Sequence, residues 1–140
     1  MPSCLDAALV QAYRETDYIV HAQPGFVLRI DTHSAALAAH YTQHGIAQGC
    51  VITAWNPQSQ PLTQAENQAR QTLLEQQLQH AGWHWIRAVA AHPHNGWPAE
   101  IGCFVEGMDA ASADLWGRQH AQNAVVWCGA DATPSLRLLR

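Results

Sequence analysis

Hydrophobic and polar positions follow two periods along the chain, and they predict four helices and seven strands. Short runs rich in β-branched or aromatic residues predict strands near residues 18–21, 26–30, 50–55, 83–90, 101–106, 124–128 and 135–139. Polar caps before apolar positions at helical spacing predict helices near residues 3–14, 34–45, 63–82 and 109–120. Because helices fall between strands, we expect a single α/β domain over residues 1–140. It would consist of a mixed β-sheet with helices packed on it. The α+β class stays open as an alternative.

The segment from Val51 to Gly82 carries the clearest local signals. The apolar run at residues 50–55, where this segment begins, shows little alternation, which is typical of a strand buried on both faces. Pro57 stops the strand because proline has no amide hydrogen. Thr63 and Glu66 form a capping box at the start of a long helix. Apolar positions at helical spacing predict the side that faces the core: Leu62, Ala65, Ala69, Leu73, Leu74, Leu78 and Ala81.

Polar residues crowd the turn after this strand and the first turns of this helix, namely Asn56, Ser59, Asn67 and Arg70. In open α/β sheets a ligand commonly lies where a strand end faces a helix start. Arg70 is then a candidate for gripping a carboxylate or phosphate with two parallel hydrogen bonds. The alternative, that Asn56 and Ser59 bond to the turn backbone while Arg70 pairs with Glu66, stays open.

Two further pairs of residues are candidates for the same site. Trp97 and Glu100 flank a loop at residues 92–98 and are candidates for a stacking wall and a general base, although Trp97 equally suits a lid on the core. Gln122 and Asn123 precede a strand, where they either line the cleft or end the preceding helix. The sequence leaves both choices open.

Charge and composition narrow the classes of function. The chain has a net charge of −4, and its seven positive residues are all arginine. A Schiff-base lysine, a phosphate-loop lysine and a lysine base are therefore excluded, and no duplex DNA partner is expected. The N-terminus lacks a basic and apolar leader, and no apolar run is long enough to span a membrane. We therefore expect a cytoplasmic protein with no membrane partner.

Cysteine and histidine spacing predicts no metal site and no cofactor. Cys4, Cys50, Cys103 and Cys128 form no C-x-x-C pair, and three of them fall in predicted strands, where cysteine acts as a small apolar residue. The nine histidines match no zinc motif, so we expect exposed side chains on a polar face. Three of them, His33, His40 and His44, share one helical face if residues 34–44 are helical. No G-x-S-x-G motif points to a nucleophilic serine.

Three segments resemble a bacterial domain-of-unknown-function family of short proteins. They are ITAWNPQSQPLTQAENQARQ, WPAEIGCFVEGM and GRQHAQNAVVWCGAD, and the resemblance runs from Tyr13 to Leu139. The family pattern is ITAxNPxS, an EN-containing helix and a final QN. The matching positions are Thr53, Asn56, Pro57, Ser59, Glu66, Asn67, Trp97, Glu100, Gln122 and Asn123. The sequence departs from the pattern at Gln119-His120-Ala121, where the family has Phe-Gly before the glutamine.

These observations favour a small-molecule or nucleotide-type ligand-binding domain with a cleft at residues 51–70. Its candidate ligand-binding residues are Asn56, Ser59, Asn67, Arg70, Trp97, Glu100, Gln122 and Asn123. The alternative is a protein-interaction or oligomerisation module whose polar cluster is structural and whose tryptophans form a patch. A further alternative is a hydrolase-type enzyme that uses Glu100. A homo-oligomer stays open.

Overall fold

A computed structural model describes residues 5–140, and its elements follow the predicted order. The helices are α1 (Ala7–Glu15), α2 (Ala35–His44), α3 (Gln64–His80) and α4 (Ala110–Gln119). The strands are β1 (Asp17–Val20), β2 (Phe26–Leu28), β3 (Gly49–Ile52), β4 (His84–Ala91), β5 (Glu100–Glu106), β6 (Ala124–Cys128) and β7 (Pro134–Leu138). A 3-10 helix, Pro57–Ser59, separates β3 from α3. The predicted α/β class is confirmed.

All seven strands form one sheet in the order β2-β1-β4-β5-β3-β6-β7, and each of its pairs is antiparallel. The predicted mixture of parallel and antiparallel strand pairs is therefore wrong. Within the predicted class of helices packed on one sheet, the arrangement is the α+β form that the sequence left open. Strands joined without a helix pair directly as hairpins, whereas each connection through α3 or α4 leaves one strand between its ends. β5 lies between β3 and β4, and β3 lies between β5 and β6. Each of these neighbouring strands runs antiparallel to the next, so strand direction alternates across the sheet.

The sheet buries two apolar layers, one on each face. On one face α3 and α4 pack over alternate strand residues in a cluster that includes Cys50, Ile52, Leu74, Leu78, Val105 and Ala113. On the other face α2 covers a cluster that includes Val20, Leu28, Leu37, Tyr41, Phe104 and Val126. α1 has no fully buried residue, and its N-cap is Asp6, whose side chain accepts a hydrogen bond from the amide of Ala8. The predicted start of this helix is Ser3-Cys4-Leu5-Asp6, of which Ser3 and Cys4 lie outside the described residues.

The buried side of α3 differs from the predicted apolar side. Its buried residues are Asn67, Gln71, Leu74 and Leu78, whereas the predicted core positions Ala65, Ala69, Leu73 and Ala81 are exposed. The chain leaves the sheet after β3, so its next amides need new partners. Asn67 Oδ1 accepts from Asn56 N at 2.7 Å and Gln71 Oε1 accepts from Ala54 N at 3.3 Å. Hydrogen bonding therefore decides which side of α3 faces the sheet.

The buried polar and sulfur-containing residues follow the expectations only in part. Cys50, Cys103 and Cys128 are free and buried in strands, as predicted, while Cys4 lies outside the described residues. Burial raises the pKa values of Cys103 and Cys128 to about 12. The prediction of exposed histidines is wrong for His40, which is packed against Phe26 and Phe104, and for His120, of which only 5% is exposed. Within residues 5–140, no helix combines the length and apolar character needed to cross a membrane.

Candidate functional site

A cavity of about 240 Å³ lies between α1 and the sheet, at the edge where β3 and β4 end and β5 begins. Its floor consists of small or apolar residues, and α1 forms one wall. The floor residues are Val51, Ala88, Ala90, Gly102, Val126 and Leu136, and the wall residues are Leu9, Ala12, Tyr13 and Thr16. A methyl group on Gly102 would lie 2.7 Å from Ile52 O, so glycine is required there, and the small floor residues leave the space above them open.

Glu100 is the acidic group of the cavity. Its Oε2 accepts hydrogen bonds from Trp97 Nε1 at 2.7 Å and from Asn56 Nδ2 at 3.2 Å. Burial raises the pKa of Glu100, and the bonds from Trp97 and Asn56 offset part of that effect. This carboxyl group therefore keeps its proton to a higher pH than an exposed glutamate does.

Asn56 is held in place by α3. Its backbone is left-handed, with φ of 43°, a conformation that asparagine tolerates better than most residues. Its Oδ1 accepts from Asn67 Nδ2 at 2.8 Å and from Leu62 N at 3.0 Å, which leaves Nδ2 directed at Glu100. The side-chain amide of Asn56 thus connects the helix start to the cavity.

A pair of hydroxyl groups forms a second polar point of the lining. Tyr13 Oη and Ser59 Oγ lie 2.9 Å apart, and Asn123 Nδ2 donates to Ser59 Oγ at 3.1 Å and to Tyr13 Oη at 3.3 Å. Ser59 itself has a left-handed backbone with φ of 58°. Arg140 Nη1 donates to Asn123 Oδ1 at 3.1 Å, which fixes the amide orientation. Asn123 therefore joins α1 to the 3-10 helix from behind the cavity.

Arg70 and Gln122 fix the loop that precedes β6. Arg70 donates from Nε to Ala54 O at 3.1 Å and from Nη2 to His120 O at 3.2 Å. Gln122 Nε2 donates to the same His120 O at 3.1 Å. The predicted pairing of Arg70 with Glu66 is wrong. Glu66 accepts from Thr63 N in the capping box, and Arg70 donates to carbonyl groups instead.

Residues 52–125 match the family described as "Protein of unknown function (DUF3293)". This match covers more than half of the chain. The chain belongs to this family. The resemblance inferred from the sequence motifs is thereby confirmed, and no curated protein or solved structure gives a significant match.

All eight predicted site residues fall within the DUF3293 match, and the structure assigns them three positions. The cavity is lined by Asn56, Ser59, Trp97, Glu100 and Gln122. Asn67 and Asn123 lie one hydrogen bond behind this lining. Arg70 is not among the lining residues, and its contacts are with backbone carbonyls. That any of the eight binds a ligand stays a prediction.

Sequence reasoning missed Tyr13, His92 and Asn95, which also line the cavity. His92 Nδ1 accepts from His94 N and Asn95 N, each at 3.0 Å, so the ring proton is on Nε2, which lies 3.2 Å from Glu15 Oε1. This bond fastens the loop at residues 92–99 to α1. Tyr13 lies outside the DUF3293 match, and only its place on the apolar side of α1 marked it in the sequence.

Proposed function

We propose that this protein binds a small organic ligand, neutral or cationic, with an apolar body and a hydrogen-bond-donating group. The observation that carries this proposal is a partly buried carboxyl group, that of Glu100, beside an apolar floor. Both of its hydrogen bonds within residues 5–140 fall on Oε2, which leaves Oε1 for a donor on the ligand. The donor group would lie at Glu100 and the apolar body over Ala88 and Ala90.

The chemistry of the lining supports this class of ligand over an anionic one. Among the described residues, no arginine lines the cavity, and the chain has no lysine. Arg70, the candidate for gripping a phosphate, is engaged with Ala54 O and His120 O. The proposal therefore narrows the expected ligand from nucleotide-type compounds to small molecules without phosphate. The cavity volume of about 240 Å³ is below the roughly 300 Å³ at which drug-sized sites begin, so the cavity suits a compound of metabolite size.

The test is ligand-observed NMR with pairs of compounds of equal size that differ in one group, such as phenethylamine and phenylacetate. We expect the amine or its neutral analogue to bind and the carboxylate not to bind. Ala90→Leu, which fills the cavity, should abolish binding, whereas Val89→Leu on the opposite side of β4 should leave it unchanged. Binding that persists in Ala90→Leu, or a panel in which only anions bind, would overturn the proposal.

The interaction-module alternative finds less support in the surface. Trp83, Trp85 and Trp116 are partly buried against the cluster under α3 and α4, which reduces the aromatic area that they could offer to a partner. Trp97 is exposed but donates its indole proton to Glu100 at the cavity. A hydrolase-type role for Glu100, an oligomer and a cytoplasmic location stay predictions from the sequence.

A further inference from the structure

A second polar cluster lies at the other end of β5 from the cavity. His40 and His44 lie one turn apart on α2, and Glu106 is the last residue of β5. Each offers one ligand atom, and these three atoms all lie within 4.8 Å of one another. Glu100, the acid of the cavity, is the first residue of the same strand, so the cluster and the cavity are separate sites.

His40 is the unusual member of this cluster. Only 5% of the residue is exposed, and the rings of Phe26 and Phe104 lie 5.3 and 6.2 Å from its own. Its Nε2 lies 3.4 Å from Glu106 Oε2, but the geometry is not that of a hydrogen bond, and this buried nitrogen has no hydrogen-bond partner. Buried polar atoms in native proteins are rarely left without a partner, so this nitrogen calls for an explanation.

We propose that His40, His44 and Glu106 form a binding site for a divalent transition-metal ion such as zinc. Two histidines and a glutamate are one of the ligand sets of zinc sites that keep an open fourth position. Zinc bonds of 2.0–2.2 Å at tetrahedral angles place neighbouring ligand atoms about 3.4 Å apart, and His40 Nε2 and Glu106 Oε2 already have this separation. Their metal-binding atoms thus need little rearrangement.

The surroundings favour the form of histidine that binds metal. Burial and the neighbouring His44 lower the pKa of His40, while Glu106 acts in the opposite direction, and histidine binds a metal ion in its neutral form. The rings of His40 and His44 are close, with centroids 4.1 Å apart. Water would take the fourth position. His84 is directly opposite Glu106 in the β4–β5 pair, but it is not among the residues whose ligand atoms converge.

The test uses the full chain without a histidine tag, stripped of metal with a chelator and titrated with Co²⁺ and then Zn²⁺. We expect one equivalent of Co²⁺ to give the strong visible absorption of a tetrahedral site, and Zn²⁺ to displace it. His44→Ala and Glu106→Gln should each weaken binding by at least about tenfold, because even the loss of an outer-shell partner costs that much. His44 is exposed, so His44→Ala should fold as the parent does, which circular dichroism checks.

The matched control is His80→Ala, which removes an exposed histidine at the end of α3, on the opposite face of the sheet. This variant should bind Co²⁺ as the parent does. Absence of saturable binding at one equivalent would overturn the proposal. So would equal affinity in the parent and in His44→Ala, because binding would then come from scattered surface histidines.

Discussion

Asn56 and Asn67 hold each other through two reciprocal hydrogen bonds. Asn56 N donates to Asn67 Oδ1 at 2.7 Å, and Asn67 Nδ2 donates to Asn56 Oδ1 at 2.8 Å. The remaining donor of Asn56 reaches Glu100 in the cavity. A residue on α3 therefore sets the orientation of a cavity residue without lining the cavity itself.

Asn67→Ala should destabilise the protein by about 1–3 kcal/mol, because it leaves the buried amide of Asn56 without its acceptor. Chemical denaturation followed by circular dichroism measures this loss. Gln68→Ala is the matched control, since Gln68 is exposed on the same helix and its loss should change stability by less than about 0.5 kcal/mol. Equal stability of the two variants would mean that the reciprocal bonds contribute nothing.

Arg70→Lys should also destabilise the protein, by about 1–3 kcal/mol. The guanidinium reaches Ala54 O and His120 O with two donors in a fixed fork, and a lysine ammonium cannot reproduce that geometry. The control is Arg87→Lys at an exposed position, where only a 3.9 Å ion pair with Glu75 is at stake. An unchanged melting temperature in Arg70→Lys would reopen Arg70 as a ligand-binding residue.

Two adjacent leucines of α3 should respond very differently to truncation. Leu74 is fully buried, so Leu74→Ala should cost about 2–5 kcal/mol of stability. Leu73 is half exposed, and Leu73→Ala should cost less than about 0.5 kcal/mol. Urea unfolding of the pair tests which side of the helix faces the sheet, and a similar loss at both positions would contradict the inward orientation of Leu74.

Glu100→Gln should stabilise the protein at alkaline pH. The folded state raises the pKa of Glu100 above its ordinary value of 4.5, so it binds this proton more tightly than the unfolded chain does. Stability is therefore lost as the pH rises through the folded pKa. Glutamine keeps an acceptor for Trp97 and Asn56 but never ionises. We expect a higher melting temperature than the parent at pH 8 and a smaller difference at pH 4; a difference independent of pH would contradict the shift.

The sequence alone determined the elements, because their signals are local. The capping box of Thr63 and Glu66 is present, and the predicted element order is the observed one. Helix caps, proline stops and strand-forming runs act over a few residues, so one sequence is enough to find them. The family pattern was equally readable from short motifs.

Only the tertiary structure decided which residues face each other. Leu73 and Leu74 both fit an apolar stripe. The backbone amides that follow β3 donate to the side chains of Asn67 and Gln71, so these two residues face the sheet and Leu73 is exposed. Arg70 likewise bonds to carbonyls that are 16 and 50 residues away in sequence. Such partners follow from strand order and chain crossings, and local periodicity does not encode either of them.

In the cavity and in the histidine cluster, too, the sequence indicated some of the residues and only the tertiary structure brought the others beside them. The sequence marked Glu100 and Trp97 as candidates, but Tyr13 reaches the cavity only because α1 crosses the sheet beside them. His40 and His44 are readable as one helical face, whereas Glu106 joins them from a strand more than 60 residues later. A sequence pattern fixes which residues share an element, and the packing of elements fixes which residues share a site.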